Sequence, residues 1–515
     1  MIKKIINHNL IEILILILLI FPLIFPLLKT GMFISDDGNW MIIRLSDFHR
    51  SLRDGQFPVR WAGRLNYQYG YPVFNFLYPG VYYLGEVFHL LGFNFVNSIK
   101  ILFGISIFFS AIFSYVWLKT KFSKFPALIG SVIYAYFPYH VFDIYNRGSL
   151  GEAIAISLLP LLLLSLEKKN LLIGSISFAL LITSHNILSI LFFPFLVFYS
   201  VIFIKPIKTS FFIFSLGISL SAFFWLPALY DRRYTVFDQI KISSWNEFFV
   251  TGNNFFLLGW GSLLIVLISL FFLIKYKEKM NLFFLIIFVI SLFFSLSIST
   301  FFWQFPILPK FVQFPWRFLS LAGITISFLA AYIIEKSINK IKIFLSIIIF
   351  IIFFFSVLPI INKIKYINEQ EGYYSTNEDT TTVKNEYMPV WVKNIPKSHP
   401  DNKAEIISGE GEIKLISQNS KKINIDTDIK KSSVIKINSV YFPGWQAKIN
   451  GNTSRIIYNN PEGIMLLSLK PGKNNILLTW NETPIRQISD IISILSLFII
   501  LYVLIKPQIK ILKTK

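Results

Sequence analysis

Long apolar runs separated by short polar links dominate the first 361 residues. A helix needs roughly 20 apolar residues to cross a ~30 Å hydrocarbon core. Runs of that kind occur at 10–28, 98–118, 125–142, 151–166, 170–187, 188–204, 210–230, 255–274, 282–300, 317–334, 341–361 and 487–505. The pattern therefore predicts an all-α polytopic membrane protein with about 12 transmembrane helices. A signal peptide competes for the first run, which follows Met1-Ile-Lys-Lys; the run is long and no small-residue cleavage site follows it, so it reads as helix one. Between the last two runs the pattern changes. Segment 362–486 is polar, with alternations such as Ser432-Ser-Val-Ile-Lys-Ile-Asn438 and turn signals at Pro443-Gly444, Asn450-Gly451 and Pro471-Gly472. Such a segment reads as a mainly-β, sandwich-like domain tethered by spans on both sides. Three units follow: a helical domain over 1–361 with a first loop at 29–97, the β-domain over 362–486, and a final helix with a basic tail over 487–515.

Lysines orient these spans. With Lys3 and Lys4 inside, alternation places Lys119/Lys121/Lys124, Lys168/Lys169, Lys205/Lys208, Lys275/Lys277/Lys279, Lys336/Lys340/Lys342 and the Lys506–Lys515 tail inside as well. Every lysine-rich short loop then falls on one side, as the positive-inside rule requires. Counting the ambiguous stretch 74–92 as a span would move all later clusters outside, so it reads as re-entrant or interfacial. Both termini are expected in the cytoplasm, and the first loop and β-domain on the extracytoplasmic face.

Composition strengthens the membrane reading and narrows the chemistry. Charged residues make up 15% of the chain and Phe occurs 55 times, whereas a soluble chain carries about 25% charged residues. The formal charge of +21 sits mostly in the topological lysines, which argues against a nucleic-acid partner. With no cysteine, disulfides, thiolate metal sites and cysteine nucleophiles are excluded.

Candidate chemistry gathers on the outer face. The first loop opens with Ser35-Asp36-Asp37-Gly38-Asn39-Trp40. Adjacent carboxylates repel, which raises at least one pKa, and they suit a divalent cation or a general base. The plainer reading is a helix N-cap with snorkelling arginines. Arg44, Arg50, Arg53, Arg60 and Arg64 follow in the same loop; five outer arginines in a long folded loop are candidates for binding. Asp143-Ile-Tyr-Asn-Arg-Gly-Ser-Leu-Gly-Glu152 joins two spans, and Arg147 and Glu152 there form either a structural ion pair or a functional one. His185 closes another span, where a hydrogen-bonded helix end is the simpler role. Arg317, in Gln313-Phe-Pro-Trp-Arg317, opens a span and suits either a phosphate or an interfacial anchor. Asp36, Asp37, Asp143, Arg147, Glu152, His185 and Arg317 share one face under a topology set by lysines alone.

A carboxylate pair just after the first span resembles the GT-C glycosyltransferase superfamily. More closely, the chain resembles the bacterial "6-pyruvoyl-tetrahydropterin synthase-related" multi-pass membrane proteins, neighbours of the YfhO-like family. The matching stretches are Asp37-Gly38 with Arg44, Tyr69-Gly-Tyr-Pro-Val-Phe-Asn75 with Tyr82-Tyr83, and Tyr145-Asn-Arg-Gly-Ser-Leu-Gly-Glu152. His185-Asn186, Gln313-Phe-Pro-Trp-Arg-Phe318, Asn385-Glu-Tyr-Met-Pro389 and Tyr441-Phe-Pro-Gly-Trp445 continue the series. Where that family often carries histidines around its aspartate, this chain has Asp36 and Met41. The resemblance implies a GT-C-like fold and sugar transfer from a polyprenyl-phosphate donor to an extracytoplasmic glycan, lipid or protein, with inversion, in the cytoplasmic membrane of a bacterium. It implies Asp37 as base, Asp36 as second carboxylate or ligand to Mg or Mn, Arg147 and Arg317 as phosphate-holding groups, and Glu152 orienting Arg147; Arg44, Asp143 and His185 complete the expected binding set. A non-catalytic lipid-linked-sugar flippase or polysaccharide exporter would also need many spans and outer arginines. Transporters, however, usually bury polar groups near the midplane, and the span centres here are almost bare of ionisable residues. A structural cell-envelope protein is the third reading.

Overall fold

The computed structural model describes residues 10–240 and 245–513. Lys3 and Lys4 lie outside the described residues, as do the side chains of the tail from Lys506. Seven helices are long and apolar enough to cross a bilayer: Leu10–Leu28, Phe95–Leu118, Leu150–Glu167, Asn186–Phe203, Pro315–Lys336, Asn339–Ile361 and Pro484–Leu504. Three bent pairs raise the number to ten: Lys124–Ala135 with Pro138–Arg147, Lys208–Leu220 with Ala222–Tyr234, and Lys279–Ser295 with Ser297–Trp303. The two remaining apolar runs form shorter helices, Leu171–Ser184 and Trp260–Tyr276; twelve crossings would need both of these to cross too. The first bend has a local cause, since Pro138 cannot continue the ladder from Ala135. At the second, Ser221 Oγ donates back to the Gly217 carbonyl at 2.9 Å, a bond that competes with the helix ladder.

Two helices form the middle of the bundle. Leu150–Glu167 and Pro315–Lys336 have 89% and 94% of their apolar windows buried, against 33% for Asn339–Ile361 and 22% for Pro484–Leu504. Small residues let Lys124–Ala135 pack closely on Pro315–Lys336; a Cβ on Gly130 would lie 2.7 Å from the Ser327 carbonyl. Each central helix is marked at both ends. Glu152 begins one and Glu167 ends it, bound to Lys121 at 2.6 Å; Arg317 begins the other and Lys336 ends it, bound to Glu278 at 2.5 Å. On the first helix, Glu12 meets Lys124 at 2.5 Å, while Asp36 and Asp37 follow the far end. The lysine-rich loops thus meet at one end of the bundle, and the candidate site lies at the other. An 18-residue helix separates the two by about 27 Å.

Stretch 74–92 forms Val73–Phe76 and Gly80–Leu90. The second of these has 11 residues, which span about 16 Å, half of a hydrocarbon core. It packs against the helix Gly38–Arg53, with Glu86 buried and accepting from His49 Nδ1 at 2.8 Å.

The first loop is tied to the β-domain along its whole length. Strand β1 (Met32–Phe33) pairs antiparallel with β2 (Tyr366–Ile367). The remaining strands are β3 (Ala404–Gln418), β4 (Lys422–Val440), β5 (Trp445–Ile449), β6 (Asn452–Ser454), β7 (Ile464–Leu469) and β8 (Gly472–Trp480). These six share one antiparallel sheet in the order β3-β4-β8-β5-β6, with β7 also on β4. The first half of β4 pairs with β8 and the second half with β7. Alternation along β4 buries Ile423, Ile425, Ile429, Ile435 and Ile437. Asn450 (φ 51°) and Gly451 (φ 81°) make the two-residue turn between β5 and β6.

The junction with the helical part is built from aromatic rings and buried ion pairs. Trp61 stacks on Trp480 at 4.8 Å and meets Trp445 edge-on at 5.9 Å. Arg60, 2% exposed, donates to Glu482 and Asp490 at 2.9 Å and to the Phe223 carbonyl at 2.8 Å. Arg486 donates twice to Asp231 Oδ2, at 3.0 and 2.8 Å, and Asn75 donates to the same oxygen at 3.0 Å.

Candidate functional site

The site is built on the link between two spans. Asp143–Arg147 forms a π-helical turn that ends in Gly148 with φ +65°. A Cβ at Gly148 would sit 2.3 Å from Ser35 Oγ and 2.7 Å from the Gly38 nitrogen, so only glycine lets the 35–38 loop lie against this turn. The loop docks by its backbone: Asp36 N–H donates to the Asn146 carbonyl at 3.0 Å and Asp37 N–H to the Arg147 carbonyl at 2.8 Å. Gly151 allows a second close approach, since a Cβ there would lie 2.5 Å from the Ser184 carbonyl and 2.6 Å from the Tyr78 ring.

Glu152 is the hub of the buried part. Its Oε1 accepts from Arg147 Nη1 at 2.6 Å and Arg317 Nε at 2.8 Å, and its Oε2 from the Tyr139 hydroxyl at 3.0 Å. Arg147 Nη1 also donates to Asp143 Oδ1 at 2.6 Å. His185 Nδ1 accepts from the Leu188 N–H at 3.1 Å, which leaves the ring proton on Nε2, 3.7 Å from Glu152 Oε1. His185 therefore caps the helix Asn186–Phe203 as well as facing the hub. Two guanidiniums and two carboxylates balance in charge, as burial demands.

The two arginines are not equivalent. Arg317 also donates from Nη1 to the Val312 carbonyl at 3.0 Å and to Gln313 Oε1 at 2.6 Å, so all three of its nitrogens are engaged. Arg147 uses only Nη1; its Nε and Nη2 have no hydrogen-bond partner among the described residues. Phe314 and Trp316 lie 5.8 and 5.9 Å from its guanidinium.

Asp37 occupies the N-cap position of Gly38–Arg53, but its side chain makes no capping bond. Its carboxylate lies within electrostatic reach of Arg147, Arg44 and Glu386. Asp36 beside it is held above the ordinary carboxylate range, first by partial burial and then by the Asp37 charge, against the pull of Arg147. Arg44 is engaged from Nε by Thr381 Oγ1 at 3.1 Å and from Nη2 by the Thr381 carbonyl, with Trp40 5.7 Å away. The structure thus brings Asp37, Asp143, Arg147, Glu152, His185 and Arg317 together, and places Arg44 on the flank of Asp37.

Two readings of the loop arginines change. Arg60 joins the domains, and buried Arg64 donates to Ser46 Oγ at 2.8 Å, to the Ile43 carbonyl at 3.1 Å and to the Ser375 carbonyl. These side chains have structural partners; Arg50 and Arg53 lie exposed in the last helical turn, where they complement the dipole.

Glu386 is the residue that sequence reasoning passed over. Burial pushes its carboxyl up to about 7, Asp37 adds to the rise, and Arg44 opposes it. It lies inside the stretch Asn385-Glu-Tyr-Met-Pro389, but no spacing singled it out. Among the described residues no group of three or more His, Asp or Glu side chains is arranged to hold a metal. Any cation at Asp36 and Asp37 would draw at most two carboxylates from the chain, within the one or two that Mg commonly takes.

A family model described as 6-pyruvoyl-tetrahydropterin synthase related domain, membrane protein, matches residues 74–366, more than half of the chain. The chain belongs to this family. Its matched region carries Arg147, Glu152, His185 and Arg317, but starts after Asp36 and Asp37. No curated protein sequence matches the chain. Among solved structures it is similar to the Archaeoglobus fulgidus oligosaccharyltransferase in the apo form, at 12% identity and a TM-score of 0.44, covering 73% of this chain and 57% of that one. It is also similar to the archaeal oligosaccharyltransferase AglB from the same organism, in complex with an inhibitory peptide and a dolichol-phosphate, at 11% identity and a TM-score of 0.42 over 72% and 56%. The chain spans less than two thirds of the length of these structures.

Proposed function

We propose that the protein is a membrane glycosyltransferase that moves a sugar from a polyprenyl-phosphate donor to an extracytoplasmic acceptor by inverting displacement. One observation carries this reading. Asp37 stands at a helix start without a capping bond, within electrostatic reach of Glu386 and of Arg147, whose Nε and Nη2 have no hydrogen-bond partner among the described residues. A carboxylate with no structural duty, within reach of a guanidinium that has unpartnered nitrogens, is what a proton transfer coupled to phosphate departure requires.

In the proposed step the acceptor hydroxyl gives its proton to Asp37 as its oxygen bonds to the anomeric carbon. The bond from that carbon to the donor phosphate breaks on the opposite side. Arg147 takes up the charge of the departing phosphate through its open edge. Glu386, partly protonated near pH 7, donates a hydrogen bond to the acceptor. Arg317 and Asp143 hold Glu152 and Arg147 in place, and His185 orients the hub. A Mg or Mn ion, when bound, would rest on Asp36 and Asp37 and supply further charge neutralisation to the phosphate. The lysine-rich end faces the cytoplasm of a bacterial inner membrane by the positive-inside rule, which puts this site on the extracytoplasmic face.

The test is a transfer assay with the full-length protein in lipid nanodiscs, a polyprenyl-phosphate sugar and a cell-envelope glycan acceptor. Sugar transfer lost in Asp37→Asn, with insertion and thermal unfolding unchanged, supports the reading. Movement of the lipid-linked sugar across vesicles without any acceptor, unaffected by Asp37→Asn, would replace it with a flippase.

A further inference from the structure

A cleft of about 410 Å³ opens beside the proposed reaction centre. Its walls include Trp40, Tyr67, Asp379, Thr380, Asn385 and Lys397. Trp40 stands one helical turn after Asp37, and Asn385 immediately precedes Glu386, so two wall residues are close chain neighbours of the site's carboxylates, which do not themselves line the cleft. None of these six residues belongs to the Glu152 hub.

The walls are preformed. The Tyr67 N–H donates to the Glu378 carbonyl at 2.8 Å, the Tyr67 hydroxyl to Asp379 Oδ1 at 3.2 Å, and Gln68 Nε2 to Glu378 Oε1 at 2.7 Å. Tyr71 and Thr382 share a hydroxyl hydrogen bond at 2.8 Å, and Arg44 grips Thr381 from below. These bonds hold an unusual backbone. Asn66, Tyr67 and Gln68 have φ of 59°, 54° and 63°, and Thr381, Lys384 and Asn385 have 60°, 54° and 52°. Most of the described non-glycine residues in the left-handed region therefore lie in the two loops that wall this cleft. Such conformations persist only where surrounding structure enforces them, and they gather at ligand clamps.

The lining chemistry selects among occupants. Two half-buried aromatic rings, with Ile395 and Pro396, supply apolar faces, while a carboxylate, hydroxyls, an amide and an ammonium supply hydrogen bonds around them. A pyranose has the matching character, with C–H faces above and below a belt of hydroxyls. A mainly apolar lipid chain does not. A pocket with rigid walls and a few convergent polar groups is the usual form of a small-ligand site.

We propose that this cleft is a saccharide subsite, which seats a sugar of the acceptor glycan and presents its hydroxyl to Asp37 and Glu386. The assignment of the occupant as acceptor rests on the transferase reading; the assignment as saccharide rests on the cleft itself. Tyr67 and Asp379 determine which sugar fits.

Saturation-transfer NMR on the full-length protein in nanodiscs tests it, with a panel of methyl glycosides covering hexoses, N-acetylhexosamines, pentoses and a uronic acid as probes. At least one glycoside binds, and Tyr67→Ala and Asp379→Ala each weaken it about tenfold. Asp379 is exposed, so its variant remains informative if the Tyr67 change disturbs the strained turn. No binding by any glycoside, binding that survives both variants, or capture of a short peptide in their place overturns the proposal. In the transfer assay, Asp379→Ala raises the acceptor KM with little change in kcat. Glycoside binding without transfer keeps the subsite and removes the transferase reading; transfer with an unchanged acceptor KM does the reverse.

Discussion

The Glu152 hub and the Asp37–Glu386 pair use the same residue types in one site, with Arg147 between them, yet they are in opposite chemical conditions. At the hub, both Glu152 oxygens are bonded and all three nitrogens of Arg317 are engaged, and of the two carboxylates only Asp143 leaves an oxygen, Oδ2, without a partner among the described residues. Around Asp37, the carboxylate caps nothing, the neighbouring Arg147 keeps an unpartnered edge, and burial raises Glu386 to about 7. A saturated buried cluster holds helices in place and has little left to offer a substrate. An unsaturated one costs stability and keeps bonds available for a ligand. Saturation, more than residue identity or burial, separates the frame of this site from its reactive part.

That contrast can be broken at several points. The largest effect is expected at the hub. Glu152→Ala strands Arg147 and Arg317 in a buried setting and should cost about 3–5 kcal/mol, read as a lower thermal unfolding temperature in detergent; an unchanged temperature would erase the distinction. Next comes Asp37→Asn, which should reduce transfer ~10²–10⁴-fold, the usual worth of a general base, with unfolding unchanged. A loss of stability like that of Glu152→Ala would move Asp37 to the frame. The arginines sharpen the comparison further. Arg317→Lys cannot reproduce the fork and should lose about 1–3 kcal/mol of stability, while Arg147→Lys should raise the donor KM several-fold and leave unfolding nearly intact. The smallest effect is a pH slope. Glu386 binds its proton more tightly folded than unfolded, so stability should fall as pH rises from its ordinary 4.5 to about 7, and level off above. Melting curves across that range should show the slope in the wild type and lose it in Glu386→Gln.

Features set by local pattern were legible from the sequence. Apolar runs mark the helices, and the Lys121 and Lys124 loop does meet Glu167 and Glu12 at one end of the bundle. Asn450-Gly451 predicts the turn it makes. The 64° and 79° bends in 208–234 and 279–303 were not legible, because the apolar runs there continue without a break. At the site, shared sidedness selected Asp143, Arg147, Glu152, His185 and Arg317, but not which of them is the hub. That depends on a contact between Arg317 and Glu152 across 165 residues. Arg60 and Arg64 read as binding groups for the same reason: their partners Glu482 and Ser375 lie far along the chain. Glu386 has no local signature, since its acidity is set by what folds over it.

The early loop and its late partners have a consequence for synthesis. Arg44 waits for Thr381, 337 residues later, and Arg60 for Asp490, 430 residues later. At about 5–20 residues per second, the ribosome needs roughly 20–90 s to supply them. During that interval the first loop stands outside the lipid with charged side chains that have no lasting partner. A chain released before the final helix would keep its earlier spans but leave Arg60 without Asp490 and Asp231 without Arg486, giving quality-control proteases an unclosed junction on incomplete copies.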